Sequence, residues 1–117
     1  MQFTLTHGLP YGKGEEMELQ VDVELRELTA GDLIDAEAAS ERVVMTEKGA
    51  TLLSSPSRMG YELIRRTIVR IGKINGPLPF DMLKKLHQDD LELIAGYSGV
   101  QQSAAIATAG AVADKGR

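Results

Sequence analysis

The fold of this chain is decided by residues 17–36, which read MELQVDVELRELTAGDLIDA. The first nine of these residues alternate between apolar and polar side chains, and successive side chains of a strand point to opposite faces of a sheet. They therefore predict a half-buried strand whose solvent-facing side is acidic and carries Glu18, Asp22 and Glu24. Thr29 then suits the N-cap of a helix, and Asp32 places a carboxylate at the positive end of that helix. The segment predicts a strand followed closely by a capped helix.

The composition indicates one modest domain with an aliphatic core. The chain has 117 residues, no cysteine and only 4% aromatic residues. Without cysteine there is neither a disulfide framework nor a thiolate metal site, which fits a reducing cytoplasm. The first residues lack the pattern of a secretory signal, and no apolar run approaches the roughly 20 residues of a membrane span. We expect a soluble protein that is not secreted.

The segments around residues 17–36 predict a hairpin and a helix that covers it. Residues 2–7 alternate and are followed by a stretch rich in glycine and proline, residues 8–16, so the first two strands should form an antiparallel hairpin. The helix that starts at Thr29 should continue to Val43 and turn one core-facing stripe towards the hairpin. The residues of this buried stripe are Leu33, Ala36, Ser40 and Val43. Ile34 and Ala38 form a second, narrower apolar face, which suggests another contact.

The second half of the chain predicts further helices. Residues 45–54 have no sustained period and are interpreted as a loop, with a short strand pair around Lys48 as the alternative. Pro56 suits the first turn of a second helix, which should run to Gly72 with a basic exposed face. Two short helices are predicted near residues 80–86 and from Asp89. Residues 96–117 lack a regular pattern and should form a mobile or weakly helical tail.

No catalytic residue, cofactor or metal ligand is predicted. Residues 87–92 combine one histidine with three acidic residues, but acidic side chains are typical of a helix start, and this interpretation is preferred to a metal site. His7, the other histidine, lies on a predicted strand and should be partly buried or at a sheet edge. The run around Ser98 resembles a nucleophile elbow, but its second glycine comes one residue early, so a serine hydrolase is disfavoured.

The charges of the chain are distributed unevenly. The net charge is −4, yet residues 1–55 carry four basic and eleven acidic side chains, and residues 56–117 carry nine basic and six acidic ones. The basic residues expected on or just after the second helix are Arg58, Arg65, Arg66, Arg70 and Lys73. Pairing of these residues with the acidic strand face, in the same or a neighbouring chain, is favoured over contact with nucleic acid because aromatic stacking residues are missing from the polar arc of this cluster. A small DNA-binding or regulatory protein that uses a basic helix around Arg65 and Arg70 remains the alternative.

Four segments together resemble a known family. Residues 23–36, VELRELTAGDLIDA, are similar to the strand-to-helix segment of the tail assembly chaperones of Mu-like phages and prophages. Three further segments agree with that family in order and spacing, namely residues 3–9, residues 61–72 and the turn at residues 76–78 followed by residues 86–91. The resemblance covers about residues 2–95. It implies a small non-enzymatic chaperone of the host bacterial cytoplasm, often oligomeric, that binds the tape measure protein and keeps it soluble during tail tube assembly.

The predicted molecule is a single α+β domain over residues 1–95, in which an antiparallel β-hairpin packs against a small bundle of three to four helices. The tail over residues 96–117 follows it. We expect self-association through the second apolar face of the first helix and through the two patches of opposite charge. The residues expected at this oligomer or partner interface are Glu18, Asp22, Glu24, Ile34, Ala38, Arg58, Arg65, Arg66 and Arg70.

Overall fold

A computed structural model describes residues 1–100 and confirms the α+β class. The elements, in chain order, are β1 (Gln2–Tyr11), β2 (Glu18–Leu25), α1 (Ala30–Ala39), β3 (Glu41–Thr46), β4 (Gly49–Ser54), α2 (Pro56–Thr67), β5 (Ile68–Ile71), β6 (Ile74–Asn75), α3 (Phe80–Leu83) and α4 (Gln88–Ser98). The chain forms two compact units. The first unit contains residues 1–27 and 64–99, and the second contains residues 28–63. The single domain over residues 1–95 stays a prediction.

The first unit is built on a four-stranded antiparallel sheet with the strand order β1-β2-β5-β6. The predicted hairpin of the first two strands is confirmed. The helix that packs on β1 is α4, a role that the sequence analysis assigned to the first helix. The Phe3 and Tyr97 rings stack there with centroids 4.3 Å apart. The buried apolar core of this unit contains Leu5, Leu9, Val23, Leu25, Ile68, Ile71, Leu78 and Ile94.

The predicted alternation of β2 is wrong at its beginning. Leu19 is 55% exposed, whereas Gln20 is only 6% exposed. The cause lies in β1, where the pairs Thr4–Asp22 and Leu9–Gln20 are separated by five residues along β1 but by two along β2. Such an irregularity bends and twists the strands, so the facing of side chains changes across it. Gln20 Oε1 accepts the backbone N–H of Lys73 at 2.9 Å, which satisfies the buried amide oxygen.

The second helix is shorter than predicted, because α2 ends at Thr67 and residues 68–71 form β5. Residues 67–69 and residue 71 are β-branched, which lowers the helix propensity of this stretch. In the strand, Ile68 pairs with Leu25 and Ile71 pairs with Val23, and both isoleucines are almost fully buried. Burial on the sheet therefore outweighs continuation of the helix.

In the second unit, α1 begins with the predicted cap. The backbone N–H of Asp32 donates to Thr29 Oγ1 at 3.2 Å, and Asp32 Oδ2 accepts the Thr29 N–H at 2.8 Å, which completes a capping box. The helix ends at Ala39, and Ser40 caps it with its backbone N–H donated to Ala36 at 3.0 Å. The predicted continuation to Val43 is wrong, since β-branched residues follow and pair as a strand.

Strands β3 and β4 form a separate two-stranded antiparallel sheet. Its turn is stabilised by Thr46, whose hydroxyl donates to the Gly49 carbonyl at 2.9 Å and accepts the Lys48 N–H at 3.2 Å. The loop predicted over residues 45–54 is therefore wrong, and the alternative, a short strand pair around Lys48, is confirmed.

The last helices lie close to their predicted positions. α3 is a short helix within residues 80–86, and α4 begins at Gln88, capped by His87. α4 extends to Ser98 and ends at Gly99 in the left-handed conformation. The predicted tail thus starts inside α4, and the rest of it, residues 101–117, lies outside the described residues.

Candidate functional site

The β3–β4 hairpin of the second unit carries an exposed apolar surface. Residues directly opposite each other in an antiparallel pair share a face, and the structure pairs Val43 with Leu52 and Met45 with Ala50. These four residues, which we call the apolar hairpin face, therefore lie on one side of the hairpin. Val43 is 67% exposed, Met45 is 75% exposed and Leu52 is 60% exposed. The opposite side is more polar and carries Arg42, Thr46 and Thr51 beside Val44 and Leu53.

This surface is suited to protein contact. Burying a Val, Leu or Met side chain contributes about 1.5–3 kcal/mol relative to leaving it exposed. A partner that covered these three side chains would therefore gain a large favourable free energy of binding. Contiguous exposed apolar residues mark protein interaction sites in soluble proteins. The hairpin is also a sheet of only two strands within the described chain, so each strand keeps an outer edge to which another strand could be added.

Helix α1 belongs to the same unit, contacts β3 and presents the predicted second apolar face. Ile34 is 65% exposed, and Ala38, one turn further on, is also exposed. Leu33, predicted on the buried stripe, is 46% exposed, whereas Ala36 and Ser40 of that stripe are buried. Both α1 and the hairpin therefore leave large apolar side chains of the second unit exposed to solvent.

Two of the three acidic residues predicted on β2 are paired within the first unit. Arg70 forms an ion pair with Glu24, and Lys73 Nζ lies 3.3 Å from Glu18 Oε2. Asp22 is exposed between them on the strand. The expected partnership between acidic strand and basic residues therefore occurs inside one chain for two of the three acidic residues.

The basic residues do not form one helical face, and the basic helix around Arg65 and Arg70 is wrong. Arg70 lies on β5 because the helix ends at Thr67. The Arg65 Nε donates to the Leu78 carbonyl at 2.8 Å, and its guanidinium lies 5.6 Å from the centre of the Phe80 ring. These contacts tie Arg65 to the fold of the first unit.

Two further predicted residues lie on α2. Arg58 belongs to the second unit, where its Nε lies 3.6 Å from Oε2 of the buried Glu62 one turn away. Arg66, in the last turn of α2, belongs to the first unit and is partly exposed. Residues that the sequence analysis grouped as one patch are thus distributed over two units, on α2, on β5 and in the turn after β5.

The sequence analysis did not include the residues of the apolar hairpin face among the interface residues, and it gave the hairpin only as an alternative to a loop. The signal was present, because Thr46-Glu47-Lys48-Gly49 can turn the chain and β-branched residues stand on both sides of it. It was obscured because residues 43 and 44 also continue the helical period of α1. None of the helices in residues 1–100 has the length and apolar character needed to span a membrane.

Comparisons with known proteins show which family the sequence of this chain matches. The model of the family described as tail assembly protein gp41 matches residues 5–117. The chain is 54% identical over 91 residues to the probable tail assembly protein gp41 of Escherichia phage Mu and to the probable tail assembly protein FS-gp41 of the same phage. It is 48% identical over 105 residues to the Mu-like prophage FluMu protein gp41 of Haemophilus influenzae.

The coverage of these relatives is unequal. The matches span 78% of this chain for both phage Mu proteins and 89% for the Haemophilus protein. They span 63% and 48% of the two phage Mu proteins and 80% of the Haemophilus protein, so the chain covers less than two thirds of the phage Mu relatives. No solved structure matches the chain.

Proposed function

Because this chain belongs to the family of the tail assembly protein gp41 of phage Mu, we propose that it acts in phage tail assembly as a non-enzymatic chaperone. Its partner is the tape measure protein, which it holds soluble while the tail tube is assembled. The contact is made by the apolar hairpin face, residues Val43, Met45, Ala50 and Leu52. The chain binds the tape measure protein in the cytoplasm of the bacterial host.

The exposure of Val43, Met45 and Leu52 is the observation that carries this proposal. A long partner that is not yet packed into a tail exposes apolar segments, and an exposed apolar hairpin can shield them without any chemical step. The outer edges of β3 and β4, which pair with no other strand of residues 1–100, add a second mode of contact. Main-chain hydrogen bonds to an extended segment do not depend on its sequence. Contacts that do not depend on sequence suit a chaperone that binds many segments of one long partner.

We also propose that the chain self-associates through α1, where Ile34 and Ala38 are exposed. A contact between this face and a different surface of the next copy would be head to tail and would produce rings or spirals. Asp22, which is exposed on β2, supplies a charge for such a contact, since Glu18 and Glu24 pair within the chain. Several copies together would present several apolar hairpin faces to one tape measure chain, which raises the overall affinity.

Co-expression with the tape measure protein of the same phage tests the partner. The wild-type chain should raise the soluble fraction of the tape measure protein. Leu52→Glu, which puts a charge on the apolar hairpin face, should remove most of this effect. Thr51→Glu is the matched control, because Thr51 is the adjacent residue, is also exposed and points to the other side of the same strand. We expect it to behave as wild type.

Two outcomes would contradict the proposal. If the wild-type chain leaves the solubility of the tape measure protein unchanged, the partner is wrong. If Leu52→Glu and Thr51→Glu retain equal effects, the partner stands but the apolar hairpin face does not bind it. Circular dichroism of both variants shows whether the hairpin change has altered the fold.

A further inference from the structure

Two histidines that lie 80 residues apart in the sequence meet at the start of α4. The His7 ring, on the edge strand β1, stacks on the ring of His87, the N-cap of α4, with centroids 3.6 Å apart and planes 14° apart. Asp89 Oδ2 lies 3.2 Å from His7 Nε2 and 3.6 Å from His87 Nδ1. We propose that His7, His87 and Asp89 bind a divalent transition-metal ion, with Zn²⁺ as the best match.

Two of the three separations between potential ligand atoms are close to those of a tetrahedral site. Zn²⁺ binds histidine nitrogen and carboxylate oxygen at about 2.0–2.2 Å, so neighbouring ligand atoms of a tetrahedron lie roughly 3.3–3.5 Å apart. The two nitrogen-to-oxygen distances, 3.2 Å and 3.6 Å, lie close to this range. One potential ligand atom from each of the three residues falls within 4.8 Å of the others. Three protein ligands leave a fourth position for water.

The donor set selects the class of ion. Two imidazole nitrogens and one carboxylate oxygen suit Zn²⁺ and its neighbours in the first transition series, whereas Ca²⁺ and Mg²⁺ prefer oxygen ligands throughout. All three side chains are exposed, at 41% for His7, 48% for His87 and 64% for Asp89, so an ion reaches them directly and the rings can rotate to receive it. His87 Nδ1 now accepts the Asp89 N–H at 3.1 Å, and ligation through that nitrogen would replace this capping bond.

Buried Asp90 holds the two halves of the site together. Its carboxylate has no exposed surface and accepts the backbone N–H groups of Thr6 at 2.7 Å, His7 at 3.0 Å and Gly8 at 2.9 Å. These three bonds attach β1 to the first turn of α4 at the position of His7. Gly8 has a φ of +89°, a conformation that L side chains rarely adopt, and it allows the strand to bend there. The two backbone segments that carry the three ligands are thus held together before any ion binds.

The composition of the chain limits which residues can supply nitrogen or sulfur ligands. His7 and His87 are the only histidines, and there is no cysteine, so every imidazole or thiolate ligand in the protein is one of these two residues. Removing either histidine therefore leaves a single imidazole, and binding of Zn²⁺ should fall steeply.

Calorimetric titration with Zn²⁺ tests the site, using the full chain without a histidine tag after treatment with a chelator. We expect one ion per chain in the micromolar range and a loss of at least about tenfold in affinity for His7→Ala and for His87→Ala. Glu92→Gln is the control, because it removes a carboxylate from the same helix outside the site and should leave the affinity unchanged. Co²⁺ should give the visible absorption of a tetrahedral complex in the wild type and not in the histidine variants.

The absence of binding at millimolar Zn²⁺ would overturn the proposal, and so would equal affinity of wild type and both histidine variants. His87 caps α4, so its replacement could unfold the helix. His7→Ala changes an exposed side chain on the edge strand and decides the question by itself if His87→Ala does not fold. Circular dichroism without metal identifies that case.

Discussion

The carboxylate of Asp90 connects residues that are distant in the sequence. It is fully buried, and three consecutive backbone N–H groups of β1, from Thr6 to Gly8, donate to it. A buried carboxylate is costly unless its oxygens are satisfied, and here three donors satisfy them. The sequence analysis placed Asp90 at a helix start for its charge, whereas its main role in the structure is to attach the bent part of β1 to α4.

Asp90→Asn should therefore destabilise the protein although it preserves the shape of the side chain. The amide keeps one acceptor oxygen, but its NH₂ group would face backbone donors, so we expect a loss of about 2–3 kcal/mol in the free energy of unfolding. Urea denaturation measures it. Glu92→Gln makes the same chemical change at an exposed position of α4 and should stay within about 0.5 kcal/mol of wild type. Equal midpoints for the two variants would show that the three bonds do not stabilise the fold.

At the scale of elements, some helix ends are determined by neighbouring residues and others by residues far away in the sequence. The start of α1 is local, since Thr29 and Asp32 form the whole capping box among themselves. The end of α2 is not, because residues 68–71 become a strand by pairing with β2, far away in the sequence. The β3–β4 hairpin combines both, with a local turn at Thr46 and pairing that extends the strands on each side.

Thr29→Ala tests the local signal. Loss of the hydroxyl leaves the Asp32 N–H without its cap, and such substitutions cost about 1 kcal/mol. Thr29→Ser keeps the hydroxyl and should recover most of this loss. Thermal unfolding followed by circular dichroism compares the three proteins. A Thr29→Ala variant as stable as wild type would mean that the cap does not limit the stability of the unit that contains α1.

At the scale of the whole molecule, the second unit exposes large apolar side chains on both α1 and the β3–β4 hairpin. Ile34 on α1 and the apolar hairpin face all belong to the second unit, while the first unit encloses a conventional core under α4. We propose that the hairpin contacts the tape measure protein and that α1 contacts a second copy of the chain. The two assignments are separable, because each surface has side chains that can be changed alone.

Ile34→Gln should reduce self-association without disturbing the fold, because Ile34 is 65% exposed on an already formed helix. Glu37→Gln places the same side chain at another exposed position of α1 and should retain assembly. Light scattering after gel filtration, over a range of protein and salt concentrations, measures the mass. A monomer under every condition for the wild type would refute self-association, and an unchanged oligomer in Ile34→Gln would refute the α1 contact. Salt should weaken assembly if charge pairs between copies contribute.

The sequence by itself determined the features whose causes lie within a few residues. The β1–β2 hairpin, the cap at Thr29 and the start of α2 at Pro56 all follow from alternation, capping and turn chemistry, and all are present. The family resemblance also rested on such segments, and the family match confirms it. These signals are reliable because the residues that produce them remain neighbours whatever the rest of the chain does.

The tertiary structure alone decided the features that depend on partners far along the chain. The bend in β1 turns Gln20 inwards and Leu19 outwards, although the local alternation predicts the reverse. Pairing with β2 converts Ile68–Ile71 from helix to strand, which moves Arg70 from the helix to the partner position of Glu24. The meeting of the two histidines has no sequence signal at all. Periodicity describes how one segment would bury its own apolar face, whereas strand pairing and side-chain clusters depend on which other segment covers that face.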